Sequence, residues 1–121
     1  MAPATSFAFG ILLLLILKGN GEYCNISSIK LEIYNTGSKV GSDPVFEVTV
    51  KNTCRCRVMK LFLRSEGFAS SMQVDPKLFR REGDDYVVND GKAIQSSESV
   101  KFLYSWDRAF QMSPAALWPS C

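Results

Sequence analysis

Residues 46–64 read FEVTVKNTCRCRVMKLFLR, with runs of alternating side chains on both sides of a Cys-Arg-Cys pair. A period of two, rich in β-branched and aromatic residues, is typical of half-buried β-strands. The same alternation recurs in residues 29–34 and 100–105. No stretch has the pattern of a long amphipathic helix. The sequence therefore predicts an all-β fold, a small disulfide-stabilised antiparallel β-sandwich of about six to eight short strands.

Turn residues mark where the predicted strands end. Asp90-Gly91 is a strong turn signal, because glycine adopts positive φ at little cost and aspartate tolerates it. It predicts a turn between a strand at Tyr86–Val88 and another at residues 93–95. Asp75-Pro76 predicts a single helical turn over residues 76–81, with the aspartate as N-cap and the proline in the first helical position.

The four cysteines lie at the two ends and in the middle of the predicted domain. They are Cys24, Cys54, Cys56 and Cys121. An even number of cysteines in a short chain with an apolar leader indicates disulfides formed in an oxidising compartment. A Cys54–Cys56 bridge would need a strained ring, so two pairings remain open. These are Cys24–Cys54 with Cys56–Cys121, or Cys24–Cys56 with Cys54–Cys121.

The N-terminal segment has the features of a secretory signal peptide. Residues 7–17 read FAFGILLLLIL, an uncharged apolar run that is long enough for a signal-peptide core and shorter than the roughly 20 residues of a membrane helix. Small residues at Gly19 and Gly21 suit cleavage before Glu22. The sequence predicts a signal peptide at residues 1–21 and one secreted domain at residues 22–121, with no membrane insertion after cleavage.

Charge is nearly balanced in the predicted mature chain. One of the 14 lysines and arginines, Lys18, falls in the leader, which leaves 13 basic residues against 12 acidic ones. This balance provides no long-range field for nucleic acid, and we predict no nucleic-acid partner. Basic residues do cluster around the middle of the chain. Strand alternation predicts that Arg55 and Arg57 share one face while Lys60 and Arg64 share the other.

The residues that enzymes use are missing or poorly placed. The absence of histidine excludes Ser-His and Cys-His nucleophile pairs, and there is no glycine-rich phosphate loop. Asp84 and Asp85 are adjacent, so in an extended chain their side chains point to opposite faces and do not form a catalytic carboxylate pair. We interpret them as part of a solvated turn, in which Asp85 bonds a loop backbone or pairs with Arg80 or Arg81. We predict no catalytic residue, no cofactor and no metal site.

Two further features bear on an extracellular role. Asn25-Ile26-Ser27 is an N-glycosylation sequon, which makes Asn25 a candidate glycosylation site. Trp106 and Trp118 offer flat rings on which a pyranose can stack, although packing within the sandwich accounts for each of them equally well.

The stretch Val74–Lys92, VDPKLFRREGDDYVVNDGK, resembles a block of the plant TAPETUM DETERMINANT family of small secreted proteins. The resemblance extends to Cys24, Asn52-Thr53-Cys54, residues 67–71, the Phe102-x-Tyr104 strand and the C-terminal cysteine. It implies a signal in the apoplast rather than an enzyme, a ligand of a leucine-rich-repeat receptor kinase ectodomain that specifies tapetal cell fate in the anther. The receptor-binding candidates within the block are Arg80, Arg81, Asp84 and Asp85.

The chain departs from the six-cysteine pattern of that family. Ser65 and Tyr86 stand where the family has cysteines, and the central cysteines are closer together than usual. The joint absence predicts that a family bridge between positions 65 and 86 has been lost. The alternative function, based on the sandwich pattern with Trp106 and Trp118, is a cell-wall carbohydrate-binding module without catalytic activity.

Overall fold

The computed structural model describes residues 24–121. This part of the chain contains seven β-strands and two 3₁₀ turns. The predicted signal peptide lies outside the described residues. Within residues 24–121, no helix combines the length and the apolar character needed to cross a membrane. The strands are β1 (Ile29–Val40), β2 (Asp43–Asn52), β3 (Arg57–Arg64), β4 (Phe79–Glu82), β5 (Asp85–Val88), β6 (Ser99–Ser105) and β7 (Ser113–Ser120).

The strands form two antiparallel sheets. The first sheet has the order β1-β2-β6, and the second has the order β4-β5-β3-β7. β1 and β2 form a long hairpin whose outer part, residues 34–40 of β1, is exposed. The prediction of an all-β, disulfide-stabilised sandwich of six to eight strands is confirmed.

The core lies between the sheets and is closed at one end by aromatic rings. Val48 and Val50 of β2 and Leu63 of β3 have no or almost no exposed surface. Phe68, in the loop after β3, has its ring centroid between 5.1 and 5.4 Å from the ring centroids of four other aromatic residues. These four are Phe79, Tyr86, Tyr104 and Phe110. Each such aromatic pair contributes about 0.5–1.5 kcal/mol beyond the burial of its area.

Two disulfides fasten the ends of the domain to the connection between β2 and β3. The structure contains the first of the two open pairings, Cys24–Cys54 with Cα atoms 5.6 Å apart and Cys56–Cys121 with Cα atoms 4.7 Å apart. The bridged residues are 30 and 65 positions apart in the chain. In the chain-entropy account, loops of this size correspond to about 4 kcal/mol of stabilisation each.

Asn52 organises the backbone between these bridges. Its side chain is fully buried, and its amide nitrogen donates to the carbonyls of Cys56, at 2.8 Å, and Ile94, at 3.0 Å. Its amide oxygen accepts from the N–H of Cys54 at 2.9 Å. One side chain therefore satisfies three backbone groups, two in the Cys-Arg-Cys connection and one at Ile94.

A β-bulge in β3 changes the predicted distribution of basic side chains. Lys60 has a φ of +51°, and the register with β7 shifts between Met59 and Phe62. The extra residue reverses the alternation, so Arg57 before the bulge and Arg64 after it are both exposed on the outer face of the second sheet. The prediction that alternation separates Arg57 from Lys60 and Arg64 is wrong. A left-handed lysine costs about 1–2 kcal/mol, so the surrounding structure must impose this conformation.

The predicted helical turn after Asp75 is present only in its first part. The Asp75 carboxylate accepts from the Lys77 N–H at 3.0 Å, and its carbonyl accepts from the N–H groups of Leu78 and Phe79. The turn does not continue to residue 81, because β4 begins at Phe79 and pairs with β5. Pairing across a sheet prevails over the local helical signal.

The predicted turn after the strand at Tyr86–Val88 is present, but the strand predicted at residues 93–95 is reduced to a single bridge at Ile94. Asn89–Gly91 form a 3₁₀ turn, after which Ile94 pairs with Val58 of β3. The two residues exchange backbone hydrogen bonds of 2.8 and 3.0 Å. β5 cannot take this segment as a partner, because β4 and β3 already occupy both of its edges.

Candidate functional site

The β4–β5 hairpin carries the four charged residues identified in the sequence. Its two-residue turn is Gly83-Asp84, and Gly83 has a φ of +71°, which glycine adopts without strain. Asp84 is exposed at the tip, and its carboxylate has no ion-pair partner within the described residues. Arg81 donates from Nε to the Gly83 carbonyl at 3.0 Å, so its side chain is held beside the turn.

Arg80 has a structural role that separates it from the other three. Its guanidinium donates to a carboxylate oxygen of Asp90 at 2.6 Å and to the Pro76 carbonyl at 3.3 Å. The hydrogen bond between Arg80 and Asp90 raises the pKa of Arg80 and lowers the pKa of Asp90 from their ordinary values. Arg80 therefore ties the turn after β5 to β4.

Asp85 pairs with a residue that the sequence did not suggest. Its carboxylate lies 3.6 Å from Nε of Arg64, on the neighbouring strand β3. The expected pairing with Arg80 or Arg81 is therefore wrong. The physical reason is the sheet register, which places Leu63 opposite Tyr86 and so brings the next residue of β3 beside Asp85.

A charged cleft of about 500 Å³ lies between the end of β3 and the β4–β5 hairpin. It brings together three of the four sequence candidates and excludes Arg80. Its two cations and three carboxylates form a surface of mixed sign, which suits complementary ion pairs with a protein better than the binding of a simple anion. The charged residues of the cleft are Arg64, Glu66, Arg81, Asp84 and Asp85.

A groove of about 820 Å³, lined by both apolar and polar side chains, adjoins the charged cleft. Leu31 and Ile33 of β1 line it, together with Phe110 and Met112 of the segment before β7. Arg64 and Glu66 line both depressions, so cleft and groove form one continuous concave surface. Apolar side chains bordered by charges are the usual anatomy of a protein-binding surface.

The groove lining is held by a buried tyrosine. The Phe110 N–H donates to the hydroxyl oxygen of Tyr104 at 2.9 Å, and burial raises the pKa of that hydroxyl. Ser65 also holds the segment, because its hydroxyl donates to the Gln111 carbonyl at 3.1 Å. The segment that carries Phe110 and Met112 is thus anchored from β6 and from the residue that follows β3.

The sequence did not identify the groove. Leu31 and Ile33 fit the pattern of core residues, but β1 is the edge strand of its sheet, which leaves them half-buried. The alternation of Phe110 and Met112 with exposed polar neighbours was the signal that could have marked the other side.

Positions 65 and 86 lie close to each other at the charged cleft. Ser65 and Tyr86 are both buried and both line it. Tyr86 lies opposite Leu63, two residues before Ser65, and its ring is stacked on Phe79 with centroids 4.7 Å apart. The loss of a family bridge between these positions stays a prediction, and both residues line the same cleft.

The two tryptophans have different surroundings. Trp106 is half-buried, with its ring centroid 6.4 Å from that of Phe110. Trp118, in contrast, is 65% exposed on β7, where Nζ of Lys60 lies 6.0 Å from the ring centroid. An exposed cation–π contact contributes about 0.5–1 kcal/mol. Only Trp118 therefore presents its ring to solvent.

Asn25 is exposed at the start of the domain. Its side-chain oxygen accepts from the Ser27 N–H at 2.9 Å and from the Ser27 hydroxyl, so the sequon forms a capped turn. Glycosylation of Asn25 stays a prediction, and the asparagine is accessible to solvent in the folded domain.

Comparison with known proteins gives consistent matches. A family model described as "Tapetum determinant 1, C-terminal" matches residues 25–121. The chain is 28% identical over 100 residues to TPD1 protein homolog 1 of Arabidopsis thaliana, covering 80% of this chain and 56% of that protein. It is 33% identical over 79 residues to TPD1 protein homolog 1A of Oryza sativa subsp. japonica, covering 58% and 35%.

A third relative is an uncharacterized protein of Arabidopsis thaliana, 32% identical over 106 residues, which are 84% of this chain and 83% of that protein. The chain thus spans most of this relative, but only about half and a third of the two TPD1 homologs. No solved structure matches the chain.

Proposed function

The chain belongs to the Tapetum determinant 1 family, and on that premise we propose that it is a secreted ligand of a leucine-rich-repeat receptor kinase that specifies cell fate in the anther. Family membership supports a signalling protein rather than an enzyme. The two disulfides are consistent with passage through an oxidising compartment to the apoplast. The continuous concave surface of cleft and groove is the observation that carries the binding role.

This surface combines the two properties that a specific receptor contact needs. The apolar side chains of the groove provide area whose burial drives association, and the mixed charges of the cleft select a partner with complementary charges. The surface is also held in place, because Arg64 is paired with Asp85 and Phe110 is bonded to Tyr104. Preorganisation of this kind reduces the ordering cost of binding.

Binding of the secreted protein to leucine-rich-repeat receptor kinase ectodomains tests the proposal. Wild-type protein should be retained by one ectodomain of a panel, and the double variant Arg81→Ala with Asp84→Ala should bind it about tenfold or more weakly. Met112→Asp should also weaken binding, because it replaces an apolar side chain of the groove with a charge.

The matched control is Lys51→Ala with Lys101→Ala, which removes two exposed charges from the first sheet. This control should bind as wild type does, and circular dichroism should show that every variant is folded. Absence of binding to the whole panel, or equal binding by the cleft and control variants, would contradict a receptor role for this surface.

A further inference from the structure

The exposed ring of Trp118 is unusual for a residue that normally buries most of its surface. It is 65% exposed near the end of β7, opposite Met59 on the outer face of the second sheet. Trp106, by comparison, is half-buried beside Phe110. Packing within the sandwich therefore accounts for Trp106 and leaves the ring of Trp118 without such a role.

The cation beside this ring is held by a strained backbone. Lys60 has a left-handed φ of +51° in the β3 bulge, and its ammonium lies 6.0 Å from the Trp118 ring centroid. Such conformations persist where the surrounding structure enforces them, and they are concentrated at functional sites. Glycine would avoid the strain, but it would not supply a charge beside the indole.

A second cation extends the same face. Arg57 precedes Trp118's neighbour Met59 by two residues and therefore projects from the same side of β3. It is exposed, and neither Arg57 nor Lys60 has an ion-pair partner in residues 24–121. Arg64, in contrast, is neutralised by Asp85 at the far end of β3.

We propose that Trp118, Lys60 and Arg57 form a binding site for an acidic polysaccharide, a chain of pyranose rings that carry carboxylates. The flat indole receives the apolar face of one pyranose ring, and the two cations pair with carboxylates of the same or neighbouring sugars. Their positions along β3 span about 10 Å at the usual rise of a strand, which suits an extended ligand that follows the strand direction. The site lies at the other end of β3 from the charged cleft.

The charge pattern selects this class of ligand over a neutral glycan. A neutral sugar needs an aromatic platform and hydrogen-bonding groups, whereas this face provides two cations that have no ion-pair partner within residues 24–121. A site of this kind would retain the secreted protein in an acidic extracellular matrix and limit how far it diffuses, independently of the receptor contact.

Affinity for defined oligosaccharides tests the proposal on the disulfide-intact mature protein. Oligogalacturonate should bind, and binding should weaken as salt screens the charges. A cello-oligosaccharide of equal length, which lacks carboxylates, and polyglutamate, which lacks pyranose rings, should each bind at least about tenfold more weakly. Trp118→Ala should lower the affinity for oligogalacturonate about tenfold or more.

Lys60→Gly separates a binding role from a structural one. It keeps the bulge and relieves the left-handed strain, so the melting temperature should be equal to or above that of wild type while the affinity for oligogalacturonate falls several-fold. Tyr34→Ala is the matched aromatic control, because Tyr34 is 54% exposed on β1 of the other sheet, and it should leave glycan binding unchanged.

Three results would overturn the proposal. They are no binding of oligogalacturonate, equal binding by wild type and Trp118→Ala, and equal affinity for polyglutamate. If the glycan does not bind and Trp118→Ala instead reduces binding of a receptor ectodomain, this face belongs to a protein interface. Failure of glycan binding leaves the cleft and groove experiment unaffected, because the two tests use different variants and different ligands.

Discussion

The amide of Asn52 occupies the point where β2 ends, the Cys-Arg-Cys connection begins and Ile94 joins β3. All three of its hydrogen bonds go to backbone groups, and the side chain is completely buried. An apolar side chain of similar size would leave these groups without partners. Buried polar groups that lose a hydrogen bond cost about 1–3 kcal/mol each.

We therefore expect Asn52→Leu to lower the free energy of unfolding by about 3 kcal/mol or more. Urea denaturation with the disulfides intact measures the change. Asn35→Leu is the control, since Asn35 is exposed and its side chain accepts only the Gly37 N–H in the outer part of the β1–β2 hairpin. A loss no larger than that of the control would show that Asn52 does not organise the connection.

Lys60 explains why the alternation of residues 57–64 misplaced some side chains of β3. The alternation in residues 57–64 correctly identified a strand, and Leu61 and Leu63 are buried as the pattern requires. The bulge at Lys60 then placed Val58 in the core and left Met59 only half-buried. Lysine carries no turn signal, because its left-handed conformation is imposed by pairing with β7 and not by local preference.

At the scale of strands, local sequence signals correctly predicted that turns and strands exist but did not predict which strands pair. Asp90-Gly91 does form a turn, but Ile94 pairs with β3 because both edges of β5 are occupied. Three receptor-binding candidates of the Val74–Lys92 block do lie together in the charged cleft. The register of β3 and β5 adds Arg64, which pairs with Asp85. Such long-range pairing is not encoded within a window of a few residues.

The predicted loss of a bridge between positions 65 and 86 is also testable. Ser65→Cys with Tyr86→Cys should form a disulfide, because both positions are buried and line one cleft, Tyr86 on β5 and Ser65 directly after β3. Tyr86→Cys alone should destabilise the domain by about 3 kcal/mol through the loss of the ring that stacks on Phe79. The new bridge should restore much of that, since closing a loop of this size contributes about 3 kcal/mol.

Thiol titration of the folded double variant and its mass before and after reduction provide the measurement. Ser65→Cys alone is the control and should show one free thiol. Two free thiols in the folded double variant would show that these positions cannot be bridged in this chain.

At the scale of the whole molecule, the two disulfides converge on one short connection. The predicted link from both ends to the middle is present, and the structure distinguishes between two pairings that spacing alone left open. Spacing could not do so because the Sγ atoms of Cys24, Cys54 and Cys56 all lie within 4.8 Å of one another. At such separations, small differences in backbone direction determine which sulfurs bond.

This convergence predicts different outcomes for single and double cysteine variants. Cys121→Ser leaves a thiol on Cys56 next to the Cys24–Cys54 bridge. Its thiolate can attack the sulfur of Cys24, which forms a Cys24–Cys56 bond and releases Cys54 as a thiolate. Non-reducing peptide mapping should therefore find a mixture of Cys24–Cys54 and Cys24–Cys56 bridges, and the mixture should form faster at higher pH because the thiolate fraction rises.

Cys56→Ser with Cys121→Ser removes the attacking thiol and should retain a single Cys24–Cys54 bridge. It should also lower the free energy of unfolding by about 4 kcal/mol, because β7 is no longer fastened to the connection between β2 and β3. Since β7 carries Trp118, hydrogen exchange along residues 113–120 should accelerate more than along β2. A homogeneous Cys24–Cys54 bridge in Cys121→Ser at alkaline pH would show that the folded connection holds the three sulfurs too rigidly to exchange.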